Sequence, residues 1–179
     1  MTEGQAEPFD LSVGPYQVEP VVSEQQARIP SGVGHSAVLV STNGVPVVAE
    51  RWISAGAPST WQGIGELPGG QAAAGSWLVP DILADSYHHA ELVLYNPGAV
   101  PAQVTVAALS QGRRQPITGL HPTTIAPGQR VALSINGYEP KLRSPLVVSA
   151  TAPVYVESDN YGQSGATGVA LSFGVPLTP

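Results

Sequence analysis

Two stretches of the chain are versions of one another. Ser144–Glu157 reads Ser-Pro-Leu-Val-Val-Ser-Ala-Thr-Ala-Pro-Val-Tyr-Val-Glu, and Ser36–Glu50 reads Ser-Ala-Val-Leu-Val-Ser-Thr-Asn-Gly-Val-Pro-Val-Val-Ala-Glu. The two starts lie 108 positions apart and the two Pro-Val-x-x-Glu ends 107, so the copies differ by one residue in the connecting turn. An internal repeat restricts the chain to an architecture that can be built more than once. Val-rich runs joined by small residues restrict it further to β-structure, because β-branched side chains suit a pleated surface and crowd a helix. Pro46, Glu50, Pro153 and Glu157 are the repeat positions expected to have a structural role.

In chain order, Met1–Glu7 reads as a solvated lead-in, and Phe9–Val13 alternates as a half-buried strand does. Pro20 confines Tyr16–Ser23 to an edge or turn. Glu24–Arg28 is the one stretch suited to a helical turn. Asn43-Gly44 then predicts a hairpin joining Ala37–Ser41 to Pro46–Ile53, since both turn positions tolerate positive φ. Trp61–Leu67 reads as a strand weakened by two glycines, and Pro68–Gly75 as a linker. Beyond it, strands are predicted at Ser76–Pro80 with Ile82–Leu83, Ala90–Tyr95, Pro101–Leu109, Thr123–Ala126 and Val131–Ile135. Leu146–Ser149, Pro153–Glu157 and Gly168–Val175 follow, with Asp85–His89 as a polar loop and Asn96-Pro97-Gly98 and Pro127-Gly128 as turns. Closely spaced strands without a helical period predict an all-β fold, an antiparallel immunoglobulin-like β-sandwich.

The repeat sets the expected domain organisation. Residues 71–179 read as a complete sandwich module. Residues 1–70 match only its second half, with Pro20 standing for Pro127, so they read as the back half of a preceding unit in a tandem array. A lone half-sandwich leaves an apolar face and open edges exposed, so its strands are expected to pack on or complete the full module.

Composition narrows the function classes. The chain has 179 residues, 42% of them hydrophobic and 11% charged, and its 20 Gly and 18 Pro fall between the Val-rich runs as turn punctuation. A net charge of −6 with no basic cluster argues against nucleic acid or an anionic membrane as partner. With no cysteine, stability has to come from burial and sheet hydrogen bonds rather than disulfides or thiolate metal sites. Low charge with abundant Ser, Thr, Val, Gly and Pro fits an exported β protein, so the expected location is extracellular or the cell envelope. Met1–Asp10 has neither the basic start nor the apolar core of a signal peptide. No stretch approaches the roughly 18 apolar residues of a spanning helix.

Trp77-Leu-Val-Pro, Leu92-Val-Leu-Tyr-Asn-Pro-Gly98, Ala102-Gln-Val-Thr-Val106, Ile125-Ala-Pro-Gly128, Leu146-Val-Val-Ser149 and Pro46-Val-Val-Ala-Glu-Arg51 together resemble a repeat of secreted or surface proteins in actinobacteria and their relatives. The resemblance covers most of 77–176 and again about 18–66. It implies an extracellular, sandwich-like, non-catalytic module whose partners are neighbouring repeats. This chain departs from the repeat at Ser158, where the first copy has Arg51, and at Asp159, where it has Trp52.

Chemistry is sparse. Glu50 and Glu157 are equivalent by the repeat and so belong to different units, whereas a glycosidase pair needs two carboxyls across one cleft; a structural role suits them better. His88-His89 beside Asp85 and Glu91 offers metal-ligand types, but adjacent strand residues point to opposite faces. Glu157, Asp159 and Asn160 offer oxygen ligands for calcium without the spacing of a calcium loop. No nucleophile elbow, Ser-His-Asp set or phosphate loop is present, and no metal or cofactor is expected. The chain reads as a non-enzymatic spacer or adhesion-type module. The alternative is carbohydrate binding, with cell-wall polysaccharide as partner, through Trp52, Trp61, Tyr161 and Asp159. Trp77 belongs to the same aromatic set, although a tryptophan beside a strand in a small sandwich more often stabilises a core.

Overall fold

The computed structural model describes residues 8–30, 32–80 and 82–177; the expected lead-in Met1–Glu7 lies outside the described residues. The chain is nearly all β. Its strands are β1 (Glu50–Ala55), β2 (Gly63–Pro68), β3 (Ala74–Val79), β4 (His88–Tyr95), β5 (Ala102–Ser110), β6 (Arg113–Pro116), β7 (Thr123–Ile125), β8 (Arg130–Ser134), β9 (Leu146–Gly162), β10 (Val169–Phe173) and β11 (Val175–Pro176). All pairings among them are antiparallel. Single 3-10 turns occur at Ser23–Gln25 and Ile135–Gly137. Among the described residues, no helix is long and apolar enough to cross a membrane.

Strand β9 organises the body. Its first part lies between β3 and β5, with Val148 opposite Trp77 on one edge and Val106 on the other. Its later part lies between β4 and β10, with Ser158 opposite Leu92 and Ser172. The sequence suggests two short strands, Leu146–Ser149 and Pro153–Glu157, but they form one 17-residue strand. The small residues between them permit a corner rather than a break. Opposite that corner the β3 register shifts between Ala74 and Ser76, the irregularity that lets a strand bend from one sheet to another.

Alternate side chains from both parts of β9 meet in one core. Leu146, Val148, Val154 and Val156 pack there with Trp77 and Val79 of β3, Leu92 and Leu94 of β4 and Val104 of β5. Each such side chain contributes roughly 1.5–3 kcal/mol when fully buried. The indole of Trp77 donates to the carbonyls of Ala74 (3.0 Å) and Val154 (3.1 Å), so this tryptophan is structural. Asn96, fully buried, fixes the Asn-Pro-Gly turn. Its amide donates to the carbonyls of Val100 and Ile125, and its side-chain oxygen accepts from the Gly98 N–H.

The region before β1 departs from expectation. Phe9–Val13 forms no strand. At Asn43-Gly44 a turn does form: the Asn43 side-chain oxygen accepts from Ser41 Oγ and the Val45 N–H, and Gly44 has φ +75°. No strands flank it, and pairing begins only at Glu50. A two-stranded hairpin is marginal without a third layer to bury its apolar face, and Val38, Leu39, Val40, Val47 and Val48 are all exposed. Ile82–Leu83 is likewise outside any strand, whereas His88 and His89 open β4.

The β1–β2 hairpin forms a small sheet of its own, paired Glu50 to Pro68 through Ala55 to Gly63. The β9–β10 hairpin is paired Glu157 to Phe173 through Tyr161 to Val169. Glu50 and Glu157 therefore both start the paired part of a hairpin, although Glu50 lies opposite Pro68 and Glu157 opposite Phe173, so the second hairpin is the shorter one. The two glycines of β2 allow it to lie against β10: a Cβ on Gly65 would come within 2.9 Å of Val169, and one on Gly63 within 2.8 Å of the Gly168 backbone. The Gly168 N–H donates to the Gln62 carbonyl at 2.7 Å.

Val148→Ala should lower the stability measured by urea unfolding by about 2 kcal/mol, because two buried methyl groups are lost and a cavity remains. The same substitution at the repeat-equivalent Val40 should change it by less than about 0.5 kcal/mol.

Candidate functional site

On β9, alternation sends Val154, Val156 and Ser158 toward the core and Tyr155, Glu157, Asp159 and Tyr161 to the opposite face. The β1–β2 hairpin covers that second face. On β1, Arg51, Ile53 and Ala55 are partly covered, while Glu50, Trp52 and Ser54 are exposed. Arg51 meets the carboxylate of Glu157 directly, and its Nη2 lies 3.5 Å from Asp159 Oδ1. Asp159 is almost completely buried and also accepts from the Tyr161 hydroxyl at 3.2 Å. The Tyr161 ring is 5.0 Å from that of Trp61 and 6.3 Å from that of His89. Beside them opens a cleft of about 250 Å³ lined by Thr60, Trp61, His89, Tyr161, Gly162 and Gln163.

Two carboxylates face one direct cationic contact, and the protonation states follow from that imbalance. Burial, followed by the neighbouring Asp159, raises the Glu157 carboxyl from an ordinary 4.5 to about 8, against the pull of Arg51 and Arg130. Glu157 therefore retains a proton through neutral pH, and Arg51 balances the remaining negative charge. The Tyr161 phenol is also raised, by burial first and then by Asp159 and Glu91, so it stays a hydrogen-bond donor. Such a cluster can latch a hairpin to a sheet. It contains no activated nucleophile, and its guanidinium is committed to the two carboxyls.

The expected site residues divide between two faces. Trp52 is 63% exposed and its indole donates to the Glu50 carboxylate, whereas Trp61 packs inward on Tyr161. Trp52 and Trp61 therefore do not form one binding face. Glu50 lies on the open face of β1 and Glu157 beneath the hairpin, so they share no cleft. Pro46 lies in the unpaired stretch before β1, and Pro153 at the β9 corner. The carboxyls that do meet are Glu157 and Asp159, two apart on one strand, a pairing that strand alternation contained. Arg51 was visible only as part of a motif, because its partners lie more than a hundred residues away.

The histidines serve separate contacts. His88 Nδ1 is 2.8 Å from Asp85 Oδ1, and His89 Nε2 is 3.3 Å from Glu91 Oε1. Burial alone would raise the Asp85 carboxyl, but hydrogen bonds from His88, the Tyr87 N–H and Arg143 outweigh it and bring it down to about 2. Among the described residues, no group of three or more His, Cys, Asp or Glu is placed to hold a metal ion.

No family model matches the chain. No curated protein matches it either. Among solved structures it is similar to that of Thermotoga maritima 1070, with a TM-score of 0.49 and 16% identity over 59% of this chain and 96% of that one.

A carboxyl whose proton is held more tightly in the folded state favours folding below its unfolded pKa, and that stabilisation is lost as pH rises through its folded value. The Tm should therefore fall between about pH 5 and pH 8 through Glu157, and Glu157→Gln should flatten that part of the profile. Arg51→Ala removes the cation from the buried pair. It should cost about 1–3 kcal/mol at pH 7 and increase amide exchange in β1 and β2 more than in β4.

Proposed function

We propose that the chain is a non-catalytic β-sandwich module of the immunoglobulin-like type, extracellular or envelope-associated, with a structural, spacer or adhesion role. Residues 71–179 make up the complete module, and residues 1–70 the back half of a preceding unit. The observation that supports this most is the contact between hairpins. β1–β2 is, like β9–β10, an antiparallel hairpin that starts at the repeat glutamate, lies against β10 through its glycines, and is tied to β9 by Arg51. In a tandem array each unit would cover the outer face of the next in this way, leaving loops displayed from a stiff scaffold. The partners are then neighbouring repeats.

Carbohydrate binding is the second reading, favoured by the exposure of Trp52 and by the cleft beside Trp61 and Tyr161. Tryptophan fluorescence separates the two. Acrylamide should quench one emission component strongly, and Trp52→Ala should remove it, while titration with soluble cell-wall and plant polysaccharides should leave the spectrum unchanged. Saturable protection of that component by one polysaccharide would replace the structural reading with the binding one.

A further inference from the structure

The unpaired stretch before β1 copies the part of β9 on which the core depends. Under the repeat, Val38, Leu39 and Val40 stand for Leu146, Val147 and Val148, and Val47 stands for Val154. All four β9 residues are buried and all four counterparts are exposed, Val40 at 76% against 0% for Val148. In β9 this segment is a central strand: β3 and β5 pair with both edges, and Leu146 and Val148 enter the core. Residues 36–41 form no strand of their own. From Glu50 onward, however, the copy already pairs with β2, as β9 pairs with β10 from Glu157 onward. The missing part is a front half, counterparts of β3 and β5. This chain's own β3 and β5 cannot supply it, because β9 already lies between them.

We propose that residues 36–41 are a donor strand that inserts between β3-type and β5-type strands of another unit of the same repeat, a front half of the kind formed by residues 74–110. This rests on the reading of the chain as stacked repeat modules and deepens it by naming the partner and the register. Backbone hydrogen bonds on both edges supply the pairing, and alternate side chains select the partner. Val38 and Val40 enter the partner's core, and Leu39 turns to the other face, as Leu146, Val148 and Val147 do in β9. The turn at Thr42–Val45 takes the place of the β9 corner, with Gly44 as the extra residue. Arg51 lies beyond the inserted segment and remains on Glu157 and Asp159.

The chain has no cysteine, so an introduced pair reads the register directly. A duplicate of residues 71–122 is fused ahead of the complete chain, with Val40→Cys in the chain and Val106→Cys in the duplicate. Because Val106 lies opposite Val148, oxidation should link this pair roughly tenfold faster than the Leu39→Cys control, whose side chain points away. Amides of residues 36–41 should become protected from exchange in the fused protein and stay unprotected in the chain without the duplicate. Equal linking of the two pairs, unprotected 36–41 amides or an insoluble fusion would each overturn the proposal. Without the duplicate, the chain free of introduced cysteines should sediment as a monomer; a dimer with protected 36–41 amides would assign the segment to a second copy and overturn the proposal as well. None of these failures touches the module reading, which depends on the polysaccharide titration.

Discussion

The body of this protein depends on β9 being held along both edges in two different sheets. A strand with pairing on both sides and a buried face has its backbone groups satisfied and its apolar side chains covered. β3, β4, β5 and β10 each take position from it, so the core assembles around one extended segment. The corner at Ala150–Pro153 makes this arrangement feasible. Small side chains and a proline without an N–H let the strand change sheets where a run of large residues would have kept it in one.

The second constraint is electrostatic. The outer face of β9 carries Glu157 and Asp159 on the same side, and burying two carboxylates is costly unless charge is balanced. Arg51 supplies one positive charge and a retained proton on Glu157 removes one negative charge. The hairpin that brings Arg51 also excludes water from the pair, so the contact and the raised pKa have one cause. The same hairpin can come so close only because Gly63 and Gly65 have no side chains to meet Gly168, Val169 and Leu171.

Much of this was legible in the chain alone, for a local reason. Period-2 alternation in β4, β5 and β8, and the turns at Asn96-Pro97-Gly98 and Pro127-Gly128, are set by neighbours within a few residues. The glycines of β2 read as weakness because what they approach lies a hundred residues further on. Asn43-Gly44 makes the turn its residues predict, but no strands flank it: turn chemistry reverses a chain, and only a covering layer makes a hairpin of it. The tryptophans show the same limit. Residue type marked Trp52, Trp61 and Trp77 alike, while their settings are solvent, an aromatic contact and the core.

The sequence by itself determined the class of structure, antiparallel β, and the repeat that relates Ser36–Glu50 to Ser144–Glu157, because alternation, turn residues and self-similarity are properties of the chain. Only the tertiary structure decided what each copy became. Val148 lies in the core between β3 and β5, and Val40, its counterpart in the repeat, faces solvent. A strand is completed by partners distant in the chain, and those partners are present for one copy and not for the other.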